Sequence, residues 1–264
     1  MKPELIRVVT LNILVDLTKW DQRGQLIVDE LRRLNPDVIA FQEVVLPGNS
    51  AQWVADRLEG YKVYTTPNAG MMGENEALAI LTHLDVLNLN VLDLLYQNRK
   101  AQVFTLMKNY TVFLLANTHL LWQDDPAPGR MEQAQIISAH LDLYPQKTPK
   151  IICGDLNSLP GSESVCILKQ KFGSAFEKAH GKETPFTFPT PLGMKINCLG
   201  NDKYEIPSTD QIDQLRTIDY LLVSEKVKVL DCQLVFTEPD AKNPEIYASD
   251  HYGLMADMSM HPIV

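Results

Sequence analysis

No stretch of this 264-residue chain approaches the ~20 consecutive apolar residues that a membrane-spanning helix needs. The first ten residues lead almost directly into a strand-like apolar run, without the basic and apolar regions of a secretory signal. The expectation is a soluble, cytoplasmic protein with no stable membrane association. Cysteine is scarce. Cys153, Cys166, Cys198 and Cys232 form no C-x-x-C pair and no zinc spacing, which points to free, partly buried thiols in a reducing compartment. Basic charge is also in deficit, with 24 Lys and Arg against 33 Asp and Glu and a net charge of −9. That balance argues against a non-specific nucleic-acid binder, which displaces counterions with a basic face. It leaves nucleic-acid substrates open, because a cluster of metal-binding carboxylates looks acidic until its cation arrives. Internal repeats and low-complexity tracts are missing, and so is a nucleophile setting such as G-x-S-x-G.

What the chain has in quantity is short β-branched and aliphatic runs. Strands are predicted over residues 6–12, 38–43, 61–65, 78–82, 86–92, 101–107, 111–118, 151–155, 218–224, 228–235 and 253–258, each flanked by turn-forming residues. Amphipathic spacing predicts helices over 22–34 and 130–141, with a third over 52–58. Long functional loops are expected over 68–75 and 184–213. Strand signals resume beyond each loop, so residues 1–264 are read as a single domain. Many strands with few interspersed helices predict sheets packed on each other with helices outside.

Polar residues of a few kinds recur where these strands end: Asn12, Gln42-Glu43, Asn117-Thr118-His119, Asp155-Leu156-Asn157, Asp219, and Ser249-Asp250-His251. Any one of them has a plain structural explanation as a solvated loop residue, a turn or a hydrogen-bonded histidine. Six in one chain, all at strand ends where rigid scaffolds mount catalytic groups, favour a site. The residue types suit phosphate-ester hydrolysis. Carboxylates such as Glu43 and Asp250 are hard oxygen ligands suited to Mg²⁺ or Mn²⁺, and carboxamides such as Asn12 and Asn157 complete or orient that shell without adding charge. Histidines donate hydrogen bonds to the developing charge, and a carboxylate takes a proton from the attacking water.

The segments Thr10-Leu11-Asn12, Phe41-Gln42-Glu43-Val44, Asn117-Thr118-His119-Leu120, Gly154-Asp155-Leu156-Asn157-Ser158, Ile218-Asp219-Tyr220 and Ser249-Asp250-His251-Tyr252 together resemble, in order, the endonuclease/exonuclease/phosphatase superfamily with its DNase I-like fold. The resemblance implies an α/β fold of two mainly antiparallel β-sheets packed face to face with helices on the outside, a four-layer α/β sandwich. It also implies roles. Glu43 is the main metal ligand, with Asn12 beside it and Asp250 close by. Asp155 aligns or deprotonates the water, Asn157 contacts the scissile phosphate, and His119 and His251 donate to its non-bridging oxygens. Asp219 orients His251. Asn117–Trp122 followed by Arg130-Met131-Glu132-Gln133, and the Glu76-Ala77-Leu78-Ala79-Ile80-Leu81 segment, are similar to the deadenylase-like, nocturnin-like, neutral sphingomyelinase-like and 5′-tyrosyl-DNA phosphodiesterase-like branches. On that basis Arg130 is a candidate substrate contact, weighed evenly against a helix-terminal ion pair, and Trp122 a candidate stacking platform, weighed evenly against packing.

Two departures stand out. Thr217 occupies the place two before the Asp of Ile218-Asp219-Tyr220, where the family often has Arg; Arg216 precedes it. The acidic residue that often follows the first-strand Asn is missing, leaving Asp16 as a substitute or a thinner metal shell. The resulting expectation is a monomeric, divalent-metal-dependent hydrolase of a phosphate ester, its partner a nucleotide, a nucleic-acid end or a small phosphorylated molecule. The alternative is a catalytically silent phosphate-binding or scaffold protein on the same fold.

Overall fold

A computed structural model of the chain describes residues 3–68, 75–122, 128–194 and 215–261. The first sheet contains β1 (Glu4–Asn12), β2 (Val38–Val45), β3 (Lys62–Pro67), β4 (Glu76–Thr82), β11 (Lys228–Val235) and β12 (Gly253–Met260), in the order β11-β12-β1-β2-β4-β3. The second contains β5 (Asp85–Asp93), β6 (Lys100–Lys108), β7 (Thr111–His119), β8 (Lys150–Asp155), β9 (Phe172–Ser174) and β10 (Asp219–Ser224), in the order β5-β6-β7-β8-β10-β9. Helices α1 (Trp20–Leu34) and α2 (Ser50–Ala55) are joined to the first sheet, and α3 (Pro128–Asp142), α4 (Glu163–Lys169) and α5 (Ala175–His180) follow β7. The sheets are mixed. β1–β2 and β7–β8 are parallel pairs, and the other neighbours run antiparallel. Each parallel pair is bridged by a helix, α1 in one sheet and α3 in the other, because parallel neighbours need a crossover.

Side-chain alternation along the strands builds the layers. Ile6 and Val8 of β1, Val38 and Ala40 of β2, Phe113 and Leu115 of β7, and Ile151 and Cys153 of β8 pack between the sheets. Their odd-for-even neighbours Val9, Leu11, Ile39 and Phe41 pack outward against Ile27, Val28, Leu31 and Leu34 of α1. On the other outer face Leu114, Ala116 and Ile152 pack against Ala134, Ile137 and Leu141 of α3. Helix α1 stops where expected, at Asn35 in the left-handed conformation (φ 47°), whose N–H closes on Leu31 O, with Pro36 next.

Continuing the same parity along each strand explains where the polar residues go. The inter-sheet face reads Ile6, Val8, Thr10, Asn12 on β1; Phe113, Leu115, Asn117, His119 on β7; and Ile151, Cys153, Asp155 on β8. The middle layer is therefore apolar at one end and polar at the other. Buried amides join the sheets at the change-over. Gln42 donates to Thr10 Oγ1 (3.1 Å) and Asn117 Oδ1 (2.8 Å), and Asn117 donates to Phe41 O (3.1 Å) and Gln102 Oε1 (3.2 Å). Such groups are costly inside a core unless hydrogen-bonded, and their pairing fixes how the two sheets register.

The predicted strands are all present, with bounds shifted by up to two residues; β4 begins two residues earlier than expected, at Glu76. The predicted helices correspond to α1, α2 and α3. The run α4, β9, α5 was not anticipated. At seven, three and six residues these elements are too short to establish a period. Most of the expected 68–75 and 184–213 loops lies outside the described residues, as does Cys198, while Cys153, Cys166 and Cys232 are free thiols.

Candidate active site

The polar end of the middle layer opens into a cleft of about 440 Å³ whose lining includes Glu43, Glu76, Arg99, His119, Asp155, Asn157, Asp250 and His251. Glu43 reaches it through a bulge. Ile39, Phe41 and Val44 all belong to the outer core, so one residue is inserted between Phe41 and Val44, where the β2–β4 register shifts. Gln42 and Glu43 then both fall on the inner side, with Glu43 at φ 58°. A non-glycine residue held there is strained by roughly 1–3 kcal/mol, which the surroundings must over-determine. They do: Glu43 Oε2 accepts from Val15 N (2.9 Å) and Oε1 from Asn12 Nδ2 (3.0 Å).

Asp155 is the hub. Its Oδ2 accepts from Asn12 Nδ2 at 3.1 Å and lies 3.5 Å from His119 Nε2 and 3.8 Å from His251 Nε2. Its Oδ1 accepts from Asn157 N at 2.8 Å, closing a turn that holds Asn157 at φ 46°. Gly154 makes this approach possible. It pairs with Thr118 at φ 126°, and a Cβ on it would meet Thr118 O at 2.0 Å. Burial, then the Asp219 charge, pushes the Asp155 carboxyl up to about 7.

His251 Nδ1 donates to Asp219 Oδ2 at 2.9 Å. Burial disfavours its charged form, but the Asp219, Asp250 and Asp155 carboxylates win and lift the His251 imidazolium well above its ordinary value. The 249–251 turn is tied to β1, since Ser249 Oγ donates to Asn12 O (2.6 Å). His119 is the opposite case. Burial, then Arg99 and His251, hold it well below the ordinary imidazole range.

The structure thus brings Asn12, Glu43, His119, Asp155, Asn157, Asp219, Asp250 and His251 together. Arg130 is not among the described residues that line the cleft; its Nη1 donates to Leu121 O at 3.2 Å. Asp16 is exposed, its Oδ1 accepting from Thr18 N (2.7 Å), and it does not line the cleft either. Trp122 lines the cleft and is 44% exposed. Arg216, one place before the expected position, is exposed at the same cleft. Three residues escaped the sequence reading of the site. Glu76 and Arg99 form a buried pair at 2.8 Å. Buried Arg23 donates to the carbonyls of Ile13 and Asp16 and so braces the loop that presents Val15 N to Glu43. Glu76 sits in a segment already marked by its family pattern, which was the available signal; Arg99 and Arg23 carried none.

For a metal, Asp155, Asp219 and His251 offer atoms within 4.8 Å of one another, but His251 Nδ1 is committed to Asp219. Glu43 and Asp250 offer a second set of hard oxygen donors. Both are carboxylates at the cleft, and burial followed by the Asp250 charge raises the Glu43 carboxyl, a penalty that a divalent ion relieves. Among the described residues no helix is long and apolar enough to cross a membrane.

A model of the Endonuclease/Exonuclease/phosphatase family matches residues 9–251. The chain is 25% identical over 228 residues to Protein angel of Drosophila melanogaster, covering 79% of this chain and 60% of that protein. It is 26% identical over 282 residues to Drosophila melanogaster Nocturnin, covering 92% of this chain and 42% of that one. Over 170 residues it is 26% identical to the Carbon catabolite repressor protein 4 homolog 3 of Arabidopsis thaliana, covering 57% and 36%. It therefore spans 36–60% of the length of these relatives. Similar solved structures include the human Nocturnin catalytic domain with bound sulfate anion (TM-score 0.76, 23% identity, 98% and 94% of the two chains). Another is D. rerio TDP2 complexed with single strand DNA product (TM-score 0.77, 16% identity, 97% and 99%). Matched across nearly its whole length, and folded as those structures are into two face-to-face mixed sheets, the chain belongs to the endonuclease/exonuclease/phosphatase family.

Proposed function

We propose that this chain is a divalent-metal-dependent phosphodiesterase that cleaves a phosphate ester by direct attack of water, with a nucleotide or short nucleic-acid end as its substrate class. The observation that carries the reading is the convergence on Asp155 Oδ2, approached by Asn12, His119 and His251 in a cleft closed at its base by the sheets. Asp155, lifted to about 7, is matched to taking a proton from water near neutrality. His251, kept protonated by Asp219, stabilises the charge that develops on the phosphoryl oxygens. His119 and Asn157 supply further donors, and Arg216 at the mouth offers a cation to a flanking phosphate. Glu43 and Asp250, with Asn12 orienting Glu43, would hold Mg²⁺ or Mn²⁺, which polarises the phosphoryl group and steadies the leaving oxygen.

D. rerio TDP2 complexed with single strand DNA product and the human Nocturnin catalytic domain with bound sulfate anion, both similar in fold, support a phosphate-bearing substrate. The acidic net charge favours short ends over long duplexes. A silent scaffold has no reason to keep Glu43, Asp155, Asn157, Asp219 and His251 together. The test is a phosphodiester reporter assayed with Mg²⁺ or Mn²⁺, then with chelator, and with Asp155→Ala. Turnover is expected only with metal and native Asp155. Turnover that survives both chelation and Asp155→Ala overturns the reading.

A further inference from the structure

Arg99, which immediately precedes β6, is 1% exposed and is the largest fully buried side chain among the described residues. Its Nη1 lies 2.8 Å from Glu76 Oε1 and 3.2 Å from His119 Nδ1. A guanidinium carries five N–H donors, no acceptor, and a charge it does not give up. The His119 atom facing it at hydrogen-bond distance must therefore present a lone pair. A proton on Nδ1 would set N–H against N–H between two buried side chains. The competing arrangement, His119 Nδ1–H donated to Glu76, is ruled out by distance: that pair is 3.6 Å apart, while Arg99 takes the same carboxylate oxygen at 2.8 Å. An imidazole with a bare Nδ1 is neutral and carries its proton on Nε2, the nitrogen 3.5 Å from Asp155 Oδ2.

We infer that Arg99, seated on Glu76, is a positioning residue that fixes His119 as the neutral Nε2–H tautomer and aims that N–H at Asp155 and the reacting phosphate. The two histidines flanking Asp155 are then wired in opposite senses. His251 gives its Nδ1–H to a carboxylate and so favours the imidazolium, whereas His119 receives at Nδ1 from a cation and so excludes it. The direction of the His119 shift, set by burial and then Arg99, agrees with this wiring. The consequence is a division of labour. Asp155 takes the proton from water and His251 holds the positive charge, while His119 is a fixed donor that neither gains nor loses a proton over the working range. The second imidazolium that would repel His251 never forms. The arrangement also accounts for a buried ion pair that stability alone does not require, since such pairs are often no better than apolar packing.

The kinetic part of this inference rests on the hydrolase reading; the tautomer does not, and it is measured on the resting protein. Histidine-labelled protein examined by long-range ¹H–¹⁵N correlation, with His119→Asn to assign the signal, is expected to show His119 with protonated Nε2 and bare Nδ1, unchanged between about pH 5.5 and 8.5. A neutral His119 protonated at Nδ1, or a titration inside that window, overturns the inference even if phosphodiesterase activity is normal. An expected spectrum from a protein inactive on every phosphate ester overturns the hydrolase reading and leaves the tautomer standing. In an active enzyme, Arg99→Met should move the His119 proton to Nδ1, towards Glu76, and lower kcat by about 10–100-fold with little change in KM. Arg99→Lys, a donor-only cation, should keep the Nε2–H form and recover part of kcat. Equal losses of kcat in both variants with the tautomer unchanged in each would assign Arg99 a packing role instead. If the variants unfold, the wild-type spectrum still decides.

Discussion

Replacing Asp219 by Asn tests the electrostatic core of the site with almost no change of shape. Asp219 Oδ2 accepts from His251 Nδ1 at 2.9 Å, and both side chains are buried. With an effective dielectric constant of about 20, two unit charges at that separation attract by about 6 kcal/mol. That figure is a ceiling on what the variant loses, because the carboxamide oxygen still accepts a hydrogen bond and the net −1 removed also repels Asp155. At about 1.4 kcal/mol per tenfold the ceiling is roughly 10⁴, so a fall in kcat of about 10²–10⁴ is expected, the upper value matching what the Asp-to-Asn change costs a Ser-His-Asp protease. The pH dependence is the sharper measure. A histidine whose folded pKa is raised keeps its proton until the pH passes that raised value. Without Asp219 the proton is lost at lower pH, so the deficit is smallest in mild acid and grows towards the alkaline side. Steady-state rates of both proteins on one phosphodiester, at saturating Mg²⁺ across that range, give the comparison. A variant within about threefold of wild type on the alkaline side, or a deficit independent of pH, would refute the charge-pair account of His251.

Three further outcomes follow from the same geometry. Glu43→Gln should raise the Mg²⁺ concentration for half-maximal activity at least about tenfold, yet leave the metal-free protein as stable or more so near neutrality; lower metal-free thermal stability would count against it. The sign follows from Glu43 being raised by burial and Asp250: its proton is held more tightly in the fold, and stability is lost as pH rises through the folded value. Gly154→Ala should lower stability by at least about 2–3 kcal/mol in chemical denaturation, because a Cβ at φ 126° would meet Thr118 O at 2.0 Å; an unchanged midpoint and rate would show that the strands yield freely. Finally, the rate should rise with pH through an acid limb at or below about 7, as Asp155 ionises, and fall only well above the ordinary imidazole range. A limb beginning on the alkaline side of that value would remove Asp155 as the base.

The layers were legible because strand alternation is a local property. Ile6, Val8, Thr10 and Asn12 lie two apart in sequence, and the switch from apolar to polar along that series already marks the end of the middle layer where chemistry gathers. The same rule reaches His119 and Asp155. It fails at Glu43, where counting by twos puts the side chain on the α1 face; only the inserted residue of the bulge, invisible in composition, turns it inward. It fails more completely for Arg99 and Arg23. Each is a lone arginine in a polar stretch, where a solvated surface residue is the normal outcome; Arg23 is buried because the preceding loop folds its Ile13 and Asp16 carbonyls over it, and Arg99 because partners far along the chain arrive around it. Glu76 is 23 residues from Arg99, and His119 a further 20. Sequence therefore exposed the groups that gather at the cleft, which sit at strand ends, and concealed the cations behind them, which come into place only after the sheets have closed. That asymmetry has a chemical reason: a group that reacts must be polar at a reachable edge, whereas a group that sets another's protonation state works best where water is excluded.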